Sequence, residues 1–416
     1  MPASPSTARA INDRLALRLL QHEGPLTAGQ LKQLTGLSRP SVADLVERLA
    51  VAGLIEVVGE AGEQRRGPNA KLYGIVADRA RLAALDVRTE GVTVLVSDLV
   101  GRVLAEASVP IGGDTGTGTA VEQAVSLVER AVKEAETVGA PPREGLRARG
   151  PLHTLGIGAP GLIDPASGEL RDSSGLPEWH RRLVAALQER FPDAHALVEN
   201  ETNLAALAEQ REGAARDRDT FVLLWLGHGT GAAVVLDGAL RRGASGGTGE
   251  IGFLPVPGTN GLPSATDCEG GFHSLAGSAA IAALAAEHGL TAHARSAEPV
   301  AAALVRAAVN ARDTGAATAA ADGFLDALAD RLALGAASVV AVLDPGCVVL
   351  GGEVGRAGGE VLASRVARRL RQMAPLPTQV RPSALGGGAV LRGALLTARD
   401  AAQEELFGTA RGTEER

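Results

Sequence analysis

One short pattern that occurs twice constrains this fold more than any other feature of the sequence. Residues 92–104 read VTVLVSDLVGRVL, and residues 231–243 read GAAVVLDGALRRG. In both copies an apolar run leads through a Gly-containing turn into a second run, a pattern typical of a strand-turn-strand unit. Two copies predict two related α/β lobes that face a cleft, where ligands usually bind. A single large sheet that contains both copies is the alternative.

Apolar runs around the two copies predict further elements. In the first copy we expect strands over 82–85, 92–96, 103–109 and 154–161, with a helix over 120–138 and a polar loop over 140–151 before the last strand. In the second copy we expect strands over 221–226 and 232–236, joined by a Gly-rich turn over 227–231. An Ala-rich helix around 322–342 serves either the core or a dimer contact, and the sequence does not separate these.

The first 78 residues have a different pattern, in which helices begin with capping residues. Apolar residues at four-residue spacing predict the buried face of a first helix: Ile11, Leu15 and Leu19. Thr27 and Gln30 form a capping box at the start of a second helix, because each satisfies a free amide of the other. Leu31 and Leu34 supply the apolar face of that helix, and we expect Gly36 to end it in the left-handed conformation.

A third helix is expected to begin after Ser38, a good N-cap, and Pro40 is tolerated in its first turn. Its predicted buried face consists of Val42, Leu45, Val46 and Leu49. Two strands over 54–58 and 71–75 follow, joined by a polar tip over 59–69. This order of elements is typical of a winged helix-turn-helix, whose third helix enters the major groove of DNA.

The residues expected to contact double-stranded DNA lie at the start of the third helix and in the wing. They are Ser38, Arg39, Pro40 and Ser41 in the helix, with Arg65, Arg66, Gly67 and Asn69 in the wing. Arginines in a wing suit phosphates or a narrow minor groove. The alternative is a three-helix head that mediates protein contacts only.

The charge is divided unevenly along the chain. Residues 1–78 hold 9 basic and 8 acidic residues, whereas the remainder of this chain of net charge −7 holds 32 and 40. The acidic remainder is not expected to lie along DNA, so the first 78 residues must make the DNA contacts.

The composition also bears on the compartment in which the protein is expected to work. Two cysteines, Cys268 and Cys347, are too few for a disulfide scaffold and fit a reducing cytoplasm. The sequence contains no apolar run of about 18 residues that would predict a membrane span. The expectation is therefore a cytoplasmic protein without a membrane segment.

Six Gly-containing or polar stretches resemble, in order, those of the ROK family of repressors, open reading frames and sugar kinases. The stretches are GIGAPG at 156–161, VENETN at 198–203 with Glu209, 227–231, GASGGTGEIG at 243–252, Asp344-Pro345 with Leu350-Gly-Gly352, and Gly393-Ala394. The fused head resembles that of the xylose-type regulators in this family. The resemblance implies an actin-like, two-lobed domain over 79–407 that follows the winged head over 1–78. The charged residues 408–416 are expected to form a disordered tail.

The resemblance also indicates which parts of a kinase are altered. The first phosphate loop of the kinases has paired glycines, but here it reads DVRTEG over 86–91. The catalytic base of the family is an Asp after an Asn, whereas here Asn200 precedes Glu201. Displacement by about 1 Å can cost on the order of 100-fold in rate. Phe253 stands where the family has its zinc-binding His. The cysteine stretch retains only Cys268, with Asp267 and His273 as other possible ligands. Phe253 and Phe272 are expected to replace the metal by apolar contacts.

We therefore expect no catalytic residue, no ATP, no zinc and no other cofactor. The expected sugar ligands are Asn200, Glu201 and Glu250, with Pro160, Gly161 and His273 as further members. The prediction is a sugar-controlled transcriptional regulator, a repressor of carbohydrate metabolism genes that acts as a homo-oligomer. A ROK-type sugar kinase with a DNA-binding head and an architectural DNA-binding protein are the alternatives.

Overall fold

The N-terminal head consists of three helices and a small antiparallel sheet. A computed structural model describes residues 5–61, 70–138, 152–171, 176–264, 268–294, 298–313 and 318–408. The head elements are α1 (Pro5–Glu23), β1 (Leu26–Thr27), α2 (Ala28–Thr35), α3 (Arg39–Val51), β2 (Ile55–Ala61) and β3 (Ala70–Ile75), with the strand order β1-β3-β2. The predicted winged helix-turn-helix is confirmed.

Local capping signals determine where the head helices begin and end, as predicted. The backbone amide of Thr27 donates to Oε1 of Gln30 at 2.9 Å, and the amide of Gln30 donates to Oγ1 of Thr27 at 3.2 Å. Gly36 ends α2 with a φ of 70°, and the amide of Ser41 donates to Oγ of Ser38 at 3.3 Å. Caps of this kind contribute about 1 kcal/mol each.

The predicted buried faces of the first two helices are partly wrong. Ile11 and Leu15 are 57% and 39% exposed, and Leu34 is 50% exposed. The residues of α1 that are buried are instead Ala16, Leu17 and Leu20. Helix α1 is apolar on more than one side, so helical spacing alone does not determine the buried face, which tertiary contacts select. The face of α3 is buried as predicted.

The remaining elements form two lobes, each with its own sheet. The first lobe contains β4 (Arg81–Arg88), β5 (Gly91–Asp98), β6 (Val103–Pro110), α4 (Thr117–Val138), β7 (Thr154–Ala159), α5 (Trp179–Arg190) and β8 (His195–Asn200). The second contains α6 (Glu201–Glu212), β9 (Phe221–Leu226), β10 (Thr230–Leu236), β11 (Ala239–Arg241), α7 (His273–Ala276), α8 (Ser278–Glu287), α9 (Val300–Asp313), α10 (Thr318–Leu343), β12 (Cys347–Gly351), α11 (Gly352–Met373), β13 (Gln379–Pro382) and α12 (Ala389–Gly408).

The two sheets have the same topology. Their strand orders are β6-β5-β4-β7-β8 and β11-β10-β9-β12-β13. In each, the first three strands of the lobe pair antiparallel, and the fourth and fifth pair parallel. The prediction of two lobes from one repeated unit is confirmed, and the alternative of one large sheet is wrong. The strands extend beyond the predicted apolar runs, because ladder pairing includes polar residues such as Asp86 and Arg88.

Alternating burial along the strands divides the core into layers. Leu82 and Ala84 of β4 join the cluster that contains α6 and α12, whereas Ala83 and Leu85 join a second cluster with α4 and α5. In the second lobe, Phe221, Leu223 and Trp225 of β9 face α6 and α12, and Val222, Leu224 and Leu226 face α8 to α11. Helices α6 and α12 therefore lie between the two sheets.

Close approach of these two helices depends on a glycine. A Cβ added at Gly393 of α12 would lie 2.0 Å from the carbonyl oxygen of Leu204 in α6. The inner layer continues into the head, because Leu17, Leu20 and Phe407 belong to the same hydrophobic cluster. Helix α10, which the sequence assigned to core or dimer, buries Phe324, Leu328 and Leu332 among other residues in the second-lobe core.

The ends of the predicted domains remain predictions. Strand β3 ends at Ile75 and β4 begins at Arg81, and Gly408 is the last residue of α12. The predicted tail is thus helical at its first residue, and 409–416 lie outside the described residues. Along the described ranges, no helix is both long and apolar enough to cross a membrane.

Candidate functional site

Asn200 and Glu201 lie where the first lobe's last strand, β8, meets α6. Asn200 is the N-cap of α6, and its Oδ1 accepts hydrogen bonds from the amides of Thr202 at 2.8 Å and Asn203 at 3.3 Å. Its Nδ2 donates to the carbonyl oxygen of Gly161 at 3.0 Å. The side-chain amide of Asn200 therefore connects the loop after β7 to the first turn of α6.

Glu201 is the first residue of α6 and has an unusual proton affinity. Burial raises the pKa of its carboxyl to about 7, and the charges of Asp86 and Glu250 act in the same direction. Its own backbone amide and Arg88 oppose the rise. Burial also raises the pKa of Glu250. The carboxyl group of Glu201 therefore changes its protonation near neutral pH.

Glu250 follows the Gly-rich stretch that approaches the first lobe. A Cβ added at Gly246 would lie 2.0 Å from the carbonyl oxygen of Ile163, two residues beyond Gly161. Among the other predicted sugar ligands, Pro160 and Gly161 form the loop after β7 and are partly exposed. His273 lies against the Gly-rich turn over 227–231, the second Gly-rich turn, since its Cε1 would be 4.0 Å from a Cβ at Gly229.

Sequence reasoning missed a hydrogen-bonded carboxylate beside these residues. Oε1 of Glu199 accepts from the amide of Asn200 at 3.0 Å and from Nδ2 of Asn203 at 2.9 Å. Its Oε2 accepts from Nε of Arg242, in the second lobe, at 2.6 Å. Glu199 stands within the quoted stretch 198–203, but its partner 43 residues away gives no local signal.

Sequence reasoning also missed that Arg88 occupies the first-lobe turn region that resembles a kinase phosphate loop. The stretch is not a loop over 86–91, because Asp86 and Arg88 belong to β4. The guanidinium lies 2.8 Å from Oδ2 of Asp86 and 2.5 Å from Oε1 of Glu353 in α11, and it donates to the carbonyl oxygen of Gly387 at 3.0 Å. Arg88 therefore joins the two lobes.

The charge around Arg88 is negative overall. The carboxylates of Asp86 and Glu353 carry two negative charges beside the single positive charge of Arg88. Glu90 lies in the next turn, and its Oε1 is 3.9 Å from Nε2 of His228 in the second lobe. A phosphate chain brought to this turn would meet three carboxylates and one guanidinium that is already paired.

The region that resembles a zinc site is built differently from the prediction. Phe272 is fully buried in the second-lobe core, but Phe253 is 38% exposed, so only one of the two phenylalanines makes the predicted apolar contacts of a core residue. Within the described part of the chain no three His, Cys, Asp or Glu residues are grouped to hold a metal ion. Asp267 lies outside the described residues.

The candidate DNA-binding surface is the start of α3. Ser38, Arg39, Pro40 and Ser41 are all exposed there. Arg48, further along the helix, lies 2.6 Å from Asp13 of α1 and also pairs with Asp44, so its charge serves the packing of the head. Arg65, Arg66, Gly67 and Asn69 of the predicted wing lie outside the described residues.

Fold and site together define a two-lobed, sugar-kinase-like protein that carries a winged helix-turn-helix head. Residues 84–401 match the family model described as ROK family, and residues 11–67 match the one described as MarR family. The chain belongs to the ROK family.

Curated relatives include regulators and a kinase. The chain is 27% identical over 256 residues to the N-acetylglucosamine repressor of Escherichia coli O157:H7, covering 60% of this chain and 58% of the repressor. It is 26% identical over 250 residues to the xylose repressor of Caldicellulosiruptor bescii, covering 60% and 59%. It is 29% identical over 220 residues to a glucokinase of Halalkalibacterium halodurans, covering 52% and 66%. The match thus spans less than two thirds of each relative.

One solved structure extends the match to the whole chain. It is a ROK family transcriptional regulator, a homolog of the Escherichia coli MLC protein, with a TM-score of 0.72 at 20% identity over 97% of this chain and 98% of that one. This likeness confirms the predicted fold, a winged helix-turn-helix followed by a two-lobed α/β domain.

Replacing Glu201 with glutamine is expected to stabilise the protein by about 2 kcal/mol at pH 8. The folded-state pKa of about 7 lies above the ordinary glutamate pKa of 4.5. As pH rises from 4.5 to 7, the unfolded chain releases this proton first, so the wild-type free energy of unfolding falls across that window. The glutamine variant lacks this loss. Urea denaturation from pH 4 to 8 measures the free energy of unfolding of both proteins, with Glu122→Gln on the exposed face of α4 as control.

The free energies of unfolding of the wild type and of Glu201→Gln should differ most above pH 7 and converge near pH 4. A Glu201→Gln protein that is less stable than wild type across the whole range would contradict the crowding of carboxylates in the cleft. A pH-dependent gain in Glu122→Gln would show that the effect is a general charge effect.

Proposed function

We propose that this chain is a DNA-binding transcriptional repressor of carbohydrate metabolism genes, and that a sugar bound between its lobes controls its affinity for DNA. The supporting observation is one continuous hydrophobic cluster that contains the head, the first-lobe sheet and the two inner helices. The head, which presents Arg39 to solvent, therefore cannot change its packing independently of the helices that reach the cleft.

On the DNA side, the start of α3 enters a major groove. Arg39 reaches base edges or phosphates, with Ser38, Pro40 and Ser41 beside it. The wing adds Arg65, Arg66, Gly67 and Asn69 at the backbone or minor groove. Homo-oligomers place two such helices about 34–36 Å apart, the spacing of successive major grooves. Repression is proposed by analogy with the names of the two matched repressors.

On the sugar side, vicinal hydroxyls bind the carboxylates of Glu201 and Glu250, because an ionised carboxylate accepts two hydrogen bonds. Asn200 contributes its Nδ2, which now donates to Gly161. A sugar hydroxyl that replaces that carbonyl loosens the contact between the loop at 160–161 and α6. His273 lies at the margin of this set, beside the second Gly-rich turn.

Helix α6 connects the cleft to the head. It contains twelve residues, from Glu201 to Glu212, and is about 18 Å long. Near its far end, Arg211 lies 2.7 Å from Asp400 of α12, which packs on the head. A shift at the sugar end of α6 thus reaches the helix that supports α1.

We also propose that sugar phosphorylation has been lost. Three carboxylates lie at the first turn, and the guanidinium of Arg88 beside it is already paired with two of them. Glu201 replaces the aspartate base and extends one methylene further. The matched glucokinase makes this a point to be tested: release of ADP from ATP with glucose, xylose or N-acetylglucosamine is expected to stay at the level without sugar.

The central experiment measures DNA affinity with and without sugar. A binding site is selected from random double-stranded DNA with the full chain, and fluorescence anisotropy then gives Kd at fixed salt. Arg39→Ala is expected to weaken binding about tenfold, whereas Arg130→Ala, an exposed arginine on α4, is expected to change nothing. One sugar of a mono- and disaccharide panel is expected to change Kd by about 5- to 150-fold.

Each arm of that experiment has a decisive negative result. Failure to select any DNA site would remove the DNA-binding role, and equal loss in both arginine variants would reduce it to general charge. No response to any sugar would favour an architectural DNA-binding protein. A response that survives Glu250→Gln unchanged would place the sugar outside the cleft.

A further inference from the structure

A second pocket lies between the head and the two-lobed domain, away from the cleft. Its volume is about 500 Å³. Residues of α1 form one wall, and residues of α12 with Arg211 of α6 form the other. Gln403 of α12 stands at this junction, where its Nε2 donates to Oε1 of Gln21 in α1 at 2.8 Å and to the carbonyl oxygen of Leu99 at 3.0 Å.

The lining of this junction pocket is positively charged in an acidic protein. It contains four arginines, Arg14, Arg18, Arg211 and Arg399, and two carboxylates, Asp400 and Glu404. The resulting charge of +2 contrasts with −7 for the whole chain. His22 is also part of the lining. Such a concentration of cations costs free energy unless an anion offsets it.

Arg399 is a largely buried arginine of this lining, and its contact with a carboxylate is long. Its side chain is 15% exposed, and its nearest carboxylate oxygen, on Asp400, is 3.9 Å away because Asp400 pairs more closely with Arg211. Its Nε is buried without a hydrogen-bond acceptor in the described part of the chain. Burial lowers the pKa of Arg399, and the like charges of Arg211 and Arg392 add to this.

We propose that the junction pocket binds a small phosphorylated metabolite, with its phosphomonoester dianion held by Arg18 from the head and by Arg211 and Arg399 from the body. A phosphomonoester carries a charge of about −1.5 to −2 at pH 7, which matches the lining. Guanidinium groups bind phosphate oxygens in pairs, and the volume is within the range of small-molecule sites. A concave pocket of this size does not admit the convex surface of duplex DNA.

Such a ligand ties α1 to α6 and α12, because it bridges cations from both sides of the junction. It therefore changes the orientation of the head independently of the sugar cleft. The inference does not depend on sugar binding between the lobes, and it gives the protein a second input, from the phosphorylated state of a metabolite.

Titration calorimetry of the full chain tests this, with inorganic phosphate, glucose 6-phosphate and glucose as probes at constant ionic strength. We expect glucose 6-phosphate to bind, and Arg18→Gln and Arg399→Gln each to weaken it about tenfold. Arg18 is exposed, so its variant folds normally even if Arg399→Gln does not. Arg130→Gln on α4 is the matched charge control, and Glu250→Gln tests whether the probe binds in the sugar cleft instead.

The outcomes separate the alternatives. Loss in Arg18→Gln with retention in Arg130→Gln and Glu250→Gln supports the site, and equal binding of inorganic phosphate would assign recognition to the phosphate group alone. No heat with either phosphate, or full binding by Arg18→Gln, overturns it. Loss of DNA affinity in Arg18→Gln without any effect on phosphate binding also overturns it, since these arginines then serve the DNA backbone.

Discussion

Replacing Arg88 with methionine is expected to lower the free energy of unfolding by about 3–5 kcal/mol at pH 8. The substitution leaves the buried carboxylate of Asp86 and the partly buried carboxylate of Glu353 without the guanidinium that now lies 2.8 and 2.5 Å from them. It also removes the hydrogen bond to Gly387, so the two lobes lose their central polar connection. Breaking a buried pair by removing one partner is costly because a charge remains desolvated.

The loss should be smaller at pH 5 than at pH 8. Burial already raises the pKa of Asp86, and Arg88 opposes that rise. Without Arg88, the folded-state pKa of Asp86 lies further above its unfolded value, so the variant regains stability as pH falls and the carboxyl takes up a proton. Urea denaturation at both pH values measures this difference.

Arg171→Met is the matched control. Arg171 lies 2.5 Å from Asp164, but its side chain is 42% exposed, and a surface pair of this kind contributes less than about 1 kcal/mol. The double variant Arg88→Met, Glu353→Gln should recover part of the loss. Equal destabilisation by Arg88→Met and Arg171→Met, or no recovery in the double variant, would show that the connection between the lobes does not depend on this ion pair.

Replacing Glu209 with alanine is expected to destabilise the protein by about 4 kcal/mol. Glu209 is fully buried in α6 and accepts hydrogen bonds from the hydroxyl of Ser383 and from three backbone amides. These amides belong to Ala214 at 2.7 Å, Ala384 at 3.3 Å and Leu385 at 3.0 Å. Removing the carboxylate leaves four donors, among them the buried hydroxyl of Ser383, without their acceptor.

Glu209→Gln should cost less than Glu209→Ala, since one oxygen remains to accept two of these bonds. Glu189→Ala, on the exposed face of α5, serves as control and is expected to change stability by less than about 0.5 kcal/mol. Thermal or urea unfolding of the three variants measures the order. If Glu209→Ala were as stable as Glu189→Ala, the carboxylate would not be what holds α6 to the segment that leads into α12.

Local and repeated signals in the sequence predicted much of this protein. The capping residues Thr27 and Ser38 and the left-handed Gly36 act within one helical turn, so their neighbours along the chain are sufficient to determine the ends of α2 and α3. The repeated unit predicted two lobes, because a strand pair with its own turn forms the same way in both copies. The Gly-rich stretches, in their order along the chain, indicated the family.

Tertiary structure alone decided the features that depend on residues far apart in the chain. Two of the partners of Arg88 lie 265 and 299 residues away, and three of the donors to Glu209 lie about 175 residues away, so no local pattern reports these contacts. The buried side of α1 was likewise selected by the surfaces of α2, α3, β3 and α12 rather than by the periodicity of α1, and Ile11 is exposed. Short-range hydrogen bonds depend on neighbours in the sequence. Long-range ion pairs and the buried face of a helix depend instead on which surfaces come into contact when the chain folds.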